Sequence, residues 1–293
     1  MSQGAAGNGA RGSATARRFL NADILPRAVV ILLGVPCLLI ITMRGGVFFL
    51  LLVNLIIVLG MREFYALMQA KGFRPYRALG TFCALALSWY VYGGGAAVSF
   101  IITGSLLAIM TGELLRKEVG GAVGHIAVTV WGVMYVGWLG SHLVMLRELP
   151  ALVGAPEDFG ARLVLFAAAV TWAGDTSAYL VGVAVGRHPL APRISPRKSV
   201  EGAVGGLVGA ALAGVISAQT FAWFVTPTTG ALLGVTAGLF GMAGDLVESL
   251  LKRDVGLKDA AVLIPGHGGI LDRFDSLFFT APLLYYYFRF FVV

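Results

Sequence analysis

Of 293 residues, 58% are hydrophobic and 13% charged, about half the charged share of an average soluble protein (roughly 25%). A mean hydropathy of +0.84 with 40 glycines excludes a soluble globule, a disordered chain and a disulfide scaffold, and fits apolar helices packed through small residues in a lipid bilayer. The net charge of +7 reads as basic loops facing anionic lipid or phosphorylated substrates; no nucleic-acid-reading module accompanies it, so nucleic acid is not an expected partner.

Residues 1–27 read as a cytoplasmic arm. Met1 to Ala16 are small and polar without an apolar face, and Arg17, Arg18, Phe19, Leu20, Ile24 and Leu25 suit a short surface helix or a plain linker. No cleavable signal peptide is expected, because the first apolar run starts after Arg27 and lacks a small-x-small exit. Apolar stretches then recur at about 28–43, 47–60, 78–92, 96–115, 122–146, 163–185, 203–224, 230–251 and 276–293, separated by breakers such as Gly45-Gly46, Arg74-Pro75, Pro150 with Pro156, Pro189 with Pro192, and Pro227. The predicted fold is all-α, a polytopic integral membrane protein with about nine transmembrane helices. Its second span borrows Met61 to Leu67 to reach full length. Residues 28–160 form a scaffold and 161–293 a catalytic membrane domain. Cys37 and Cys83 sit inside apolar runs as fillers rather than as a bridge. With the N-terminus cytoplasmic, eighteen of the 22 Lys and Arg residues fall on the inner side, leaving Arg44, Arg147, Arg162 and Arg289, so the C-terminus is expected outside.

Polar chemistry gathers after residue 170. Asp175, in Trp172-Ala173-Gly174-Asp175-Thr176-Ser177, lies inside the sixth span, where an ionised carboxylate needs a partner or a watery cavity; a polar packing cluster is the alternative. The following loop carries Arg187, Arg193, Arg197 and Lys198 before Ser199, Glu201 and Gly202. It suits a phosphate cradle, although a positive-inside loop and helix-capping material read equally from charge alone. In the third patch Asp245, Ser249 and Lys252 share one helix face, and Asp272 and Asp275 open the last helix one turn apart. The glycines around His267, namely Gly266, Gly268 and Gly269, let the chain fold back so that Asp245 and Asp272 can meet. Such carboxylates suit a hard divalent cation such as Mg²⁺; capping by Asp272 and Asp275, and a solvated Lys258–Asp259 pair, are the alternatives. His125, His142, His188 and His267 lack paired ligand spacing for zinc and read as packing or loop histidines. Asn54 and Glu113 read as contacts between helices, and Glu63 as structural.

The run Ser249-Leu250-Leu251-Lys252-Arg253, then Lys258-Asp259, then Ile264-Pro265-Gly266-His267-Gly268-Gly269-Ile270-Leu271-Asp272-Arg273-Phe274-Asp275, resembles the signature of the phosphatidate cytidylyltransferase (CDP-diacylglycerol synthase) family. Ser195-Pro196-Arg197-Lys198-Ser199-Val200-Glu201-Gly202 resembles the family's second segment, with Arg197 and Ser199 as conservative departures, and Asp175 matches its Asp-Thr-x-Ala-Tyr element. The first five spans resemble the family only in hydropathy and in Glu63-Phe64-Tyr65. The resemblance implies that CTP and phosphatidic acid give CDP-diacylglycerol and pyrophosphate, with a divalent cation such as Mg²⁺ and room for a second cation. It also implies a homodimer in a bacterial inner membrane with the active site facing the cytoplasm. Asp245 and Asp272 are then the metal ligands, with Asp259 and Asp275 as weaker candidates. Lys198, Lys252, Arg253, Lys258 and Arg273 become phosphate clamps, and Ser249, His267, Gly268, Gly269 and Glu201 substrate contacts. Asp175 borders the lipid headgroup. The rival class is a transporter using Asp175 and Asp245 for a coupling ion, against which stand the missing inverted repeat and the one-sided charge. A third reading keeps CTP and changes the lipid acceptor.

Overall fold

The computed structural model describes residues 32, 34, 36–95, 97–117, 120–256 and 269–292. The N-terminal arm 1–27, Lys258, Asp259, His267 and Gly268 lie outside the described residues.

Residues 36–44 are helical and are followed by α1 (Gly46–Ala70), α2 (Arg77–Tyr92), α3 (Val98–Leu114) and α4 (Ala122–Gly132). A π-helical turn, Val133–Trp138, carries α4 without a break into α5 (Leu139–Val153). Then come α6 (Glu157–Val185), a hairpin of β1 (Pro189–Ala191) and β2 (Ser195–Ser199), α7 (Val200–Thr220), α8 (Pro227–Asp254) and α9 (Leu271–Phe291). Among the described residues five helical stretches are long and apolar enough to cross a membrane: α1, the continuous Ala122–Val153, α6, α7 and α8. The chain is therefore a helical integral membrane protein, with each described helix close to an apolar run of the sequence.

Two local expectations need correction. The segment after α6, read as a loop in an all-α chain, is a short antiparallel pair with Pro189 opposite Ser199 and Ala191 opposite Ser195. Pro189, Pro192 and Pro196 deny that stretch the amide donors of a helix, and extended backbone accommodates their fixed φ. Pro150, read as a breaker, lies inside α5. The helix ends at Gly154 instead, whose φ of 68° is a left-handed cap that other residues adopt at a cost.

Local chemistry starts the helices around the site. Ser199 caps α7 by accepting a hydrogen bond from the Gly202 amide at 3.1 Å, with Glu201 in the first turn. Thr226 caps α8 by accepting from Thr229 at 3.1 Å, and Pro227 occupies the first turn, where its missing N–H is no loss. Helix α7 lies against both α6 and α8, and α9 packs on α5, α6 and α8. Gly214 and Gly230 bring α7 and α8 so close that a Cβ on either would collide with the other's backbone carbonyl. In lipid, such close packing replaces the hydrophobic push that water would supply. The core is aromatic, with Phe64, Tyr65, Phe166, Phe278 and Phe288 fully enclosed, while Phe100, Val183, Leu212 and Ile216 point outward, as a lipid-facing surface requires. Two ties hold the ends of the bundle. Lys71 at the end of α1 bonds Asp254 at the end of α8 at 2.7 Å. The buried Arg147 donates to the carbonyls of Thr42 at 2.9 Å and of Met43 and Glu157 at 3.3 Å.

Candidate active site

A cavity of about 450 Å³ opens between α6, the hairpin, α7 and α8. Its walls are small or apolar, including Gly174, Ala203, Gly206, Ala237 and Met242, and its polar groups include Asp175 of α6, Lys198 of β2 and Asp245 of α8. The Lys198 ammonium pairs with the Asp245 carboxylate across the cavity. Thus two of the three polar patches, 47 positions apart in sequence, form one ion pair, and Asp175 from the other faces the same space.

The hairpin is held so that Lys198 points this way. Glu201 accepts hydrogen bonds from the amides of Arg187 (3.0 Å) and His188 (3.2 Å) and pairs with the His188 ring at 2.5 Å. Arg253 donates from Nε to the Ile194 carbonyl at the hairpin tip, 3.1 Å away. Glu201 and Arg253, expected to touch substrate, are engaged in shaping the lysine-bearing hairpin.

A second cluster lies where α8 ends and α9 begins. Lys252 bridges Glu248 one turn earlier (2.5 Å) and Asp272 of α9 (2.7 Å), while the Gly269 amide donates to the other Asp272 oxygen at 3.3 Å. Glu248 is only 1% exposed, and its Oε1 has no hydrogen-bond partner among the described residues. Asp275 is buried one turn on, accepting from the Ser276 amide at 2.6 Å. The Ser276 hydroxyl donates to Asp175, and Asp175, Asp245 and Asp275 interact electrostatically. Ser249 is half-buried on α8, and Arg273 is exposed in the first turn of α9.

Asp245 pairs with Lys198 and Asp272 with Lys252, and among the described residues no group of three or more His, Cys, Asp or Glu side chains is arranged to hold a metal ion. The donor set still fits a hard cation. Its oxygens are carboxylate oxygens, one of them the Oε1 of Glu248, without a partner among the described residues, and Mg²⁺ commonly binds through one or two carboxylates, keeping waters and taking substrate phosphates.

Two site residues escaped the motif reading. Glu248 carries a faint signal, an acid four residues before Lys252 on one helix. Glu63 carries none for the role it plays. Its Oε1 accepts from the Ile270 amide at 2.9 Å and its Oε2 from the Leu271 amide at 2.7 Å, capping α9 from a residue 207 positions away. The structural reading of Glu63 is correct, and it makes α1 part of the frame that holds Asp272. Glu63→Ala removes two charge-assisted bonds from buried amides and is expected to cost about 2–3 kcal/mol, seen as a lower Tm in detergent, with Glu63→Gln intermediate. An unchanged Tm for Glu63→Ala would show that the cap contributes nothing. Elsewhere the described histidines have partners within the protein: His125 with Glu113 (3.2 Å), His142 with the Trp138 carbonyl (2.9 Å), and His188 with Glu201. Glu113 is a contact between helices, as read.

The profile of the cytidylyltransferase family matches residues 25–291. The chain is 36% identical to the phosphatidate cytidylyltransferase of Synechocystis sp. over 282 residues, covering 89% of this chain and 95% of the relative. It is 32% identical to phosphatidate cytidylyltransferase 5, chloroplastic, of Arabidopsis thaliana over 274 residues, 85% of this chain and 68% of the relative. Against the phosphatidate cytidylyltransferase of Bacillus subtilis it is 40% identical over 154 residues, 52% of this chain and 54% of the relative. A match from before the first described helix to the end of α9, together with a carboxylate–lysine cluster built from its most distinctive segment, leads to one statement of kinship: the chain belongs to the cytidylyltransferase family.

Proposed function

We propose that this protein is a phosphatidate cytidylyltransferase, which transfers the cytidylyl group of CTP to phosphatidic acid, giving CDP-diacylglycerol and pyrophosphate for phospholipid biosynthesis. The observation that carries this reading is the Lys198–Asp245 pair across a largely apolar cavity in a member of this family. An oxygen of the phosphatidate phosphate attacks the α-phosphorus of CTP, the bond from that phosphorus to the bridging oxygen breaks, and pyrophosphate leaves. The acceptor supplies its own nucleophile, so the chain's task is alignment and charge compensation rather than covalent catalysis.

Lys198 and Lys252, each shared with a carboxylate, are the donors of positive charge to the phosphates, joined by Lys258 and Arg273, while Arg253 and Glu201 serve the substrates through the hairpin they brace. Ser249, His267, Gly268 and Gly269 orient the substrates, and Asp175 borders the headgroup. Asp245 and Asp272 would hold Mg²⁺, with Asp259 and Asp275 as further ligands and room for a second cation. Bound there, the cation offsets the charge of the triphosphate and makes its α-phosphorus more electrophilic. The same proposal places residues 28–160 as scaffold and 161–293 as the catalytic part of a homodimer in a bacterial inner membrane. It has nine spans, the N-terminus and active site in the cytoplasm and the C-terminus outside.

Purified protein given CTP, phosphatidic acid and Mg²⁺ is expected to release CDP-diacylglycerol and pyrophosphate in equal amounts. Absence of both, or ion flux into liposomes without them, would overturn the reading. For the topology, a cysteine replacing Arg193 in a protein otherwise free of cysteine is expected to resist an impermeant thiol reagent in intact cells and to react after permeabilisation. Labelling in intact cells would reverse the orientation.

A further inference from the structure

A second polar cavity, of about 240 Å³, opens where the α1–α2 loop meets the α3–α4 loop, and its walls carry Arg74, Arg116, Lys117 and His125. It shares no lining residue with the cavity of Asp175, Lys198 and Asp245. It lies toward the same end of the bundle, because Lys71 in the α1–α2 loop bonds Asp254 at the end of α8.

The side chains of this pocket hold one another in place. The Arg116 guanidinium sits 4.2 Å over the Tyr76 ring, donates from Nη2 to the Arg74 carbonyl at 2.5 Å and lies 3.2 Å from the Glu113 carboxylate. Tyr76 is fixed in turn, since its hydroxyl donates to the Gly112 carbonyl at 2.7 Å. Glu113 also engages His125 at 3.2 Å. Gly124 lets the Phe73 ring approach α4 so closely that a Cβ there would collide with it. The two loops are thereby stapled together, with Arg116 half-buried between them and Arg74 and Lys117 exposed at the rim. Residues 71–77 and 113–118 hold five basic residues against two acidic ones, Glu113 and Glu118, the latter outside the described residues.

The basic excess, to which the positive end of the α4 dipole adds, calls for an anion. The flank of the pocket calls for a lipid. Leu114 and Leu115, just before Arg116, are 82% and 86% exposed, and Val123 at the start of α4 is 84% exposed. Helix α3 is apolar and ends at Leu114, so the step from Leu115 to Arg116 sets the pocket at the depth where headgroups meet hydrocarbon. A soluble anion gains nothing from exposed leucines. A lipid uses both features, with its phosphate among the cations and its tails along the apolar flank.

We propose that this pocket binds the headgroup of an anionic phospholipid at a site separate from the catalytic cavity. Arg74 and Lys117 contact the phosphate at the rim, and Arg116 supplies fixed positive charge behind it. The proposal stands apart from the cytidylyltransferase reading, and its test needs no turnover.

The test is equilibrium binding of tail-labelled phosphatidylglycerol to the full-length protein in non-ionic mixed micelles, read by fluorescence anisotropy, with Tm recorded without lipid. Unlabelled phosphatidylglycerol is expected to displace the probe, whereas phosphatidylcholine, whose head has no net charge, and inorganic phosphate are not at the same concentration. Lys117→Gln and Arg74→Gln are each expected to weaken binding about fivefold, the scale of one basic residue at a lipid surface, and the double variant by more than about tenfold, with Tm unchanged. Arg62→Gln removes an exposed charge of α1 outside the pocket and is expected to leave binding unchanged. Equal losses for Arg62→Gln and Lys117→Gln would mean attraction to a positive surface at large and would overturn the proposal. Unchanged binding by the double variant would overturn it too, as would displacement by phosphatidylcholine, which marks an apolar lipid site, or by inorganic phosphate, which marks a free-anion site. Should Arg74→Gln lower the Tm, Lys117→Gln decides alone.

Discussion

Asp245→Asn and Asp272→Asn are each expected to lower CDP-diacylglycerol formation by about 10²- to 10³-fold, the usual scale for losing one fixed charge-stabilising group, without unfolding the protein. Asparagine keeps the size of the side chain and one acceptor oxygen but loses the negative charge that a Mg²⁺ site with few carboxylates depends on. It also loses the partner of Lys198 in the first case and of Lys252 in the second. A purely structural Asp272 would behave otherwise, because asparagine caps a helix about as well as aspartate. Turnover measured against Mg²⁺ concentration, beside Tm in detergent, separates the two roles. Near-normal turnover with an unshifted Mg²⁺ requirement would remove that residue from the metal site.

Lys252→Met is expected to damage both folding and activity. Methionine fills much of the lysine volume but withdraws the ammonium that Glu248 and Asp272 share, leaving two acidic groups near each other, one of them almost entirely buried. Breaking a buried pair by removing one partner costs about 3–5 kcal/mol, so Tm should fall steeply and turnover should disappear. Adding Glu248→Gln removes the uncompensated charge and is expected to restore much of the Tm while turnover stays lost, since the phosphates still lack their cation. Lys198→Met supplies the contrast. Its pair with Asp245 is partly exposed to the cavity, so its stability cost should be small while activity falls. Equal Tm losses for the two lysine variants would contradict the difference in burial from which both expectations follow.

The residues of the site divide by how far apart their partners lie. Lys252 and Glu248 are four positions apart on one helix, a pairing the sequence carries openly. Lys252 with Asp272 spans 20 positions, and a carboxylate–lysine meeting there follows from the motif only in outline. The motif spacing let Asp245 and Asp272 approach, and the bundle adds what the spacing does not show, a different lysine on each. Lys198 reaches Asp245 because three prolines make its segment a hairpin rather than a loose loop. Glu63 comes from the part of the chain read as scaffold, whose signals were its hydropathy and the short Glu63-Phe64-Tyr65 element.

Hydropathy, basic asymmetry and helix-capping residues are local properties, and from them the amino-acid sequence by itself determined a helical membrane protein, the approximate extent of its helices, and the segments where phosphate-handling chemistry concentrates. It also carried the kinship, because the spacing from Ser249 to Asp275 is a linear pattern. Only the tertiary structure decided that Glu63 caps α9 and that Glu201 and Arg253 brace the hairpin. Those contacts depend on how closely glycine-lined helices approach and on the rotation of each helix about its axis. Such quantities emerge from the packing of the whole bundle and have no counterpart in the periodicity of any one segment.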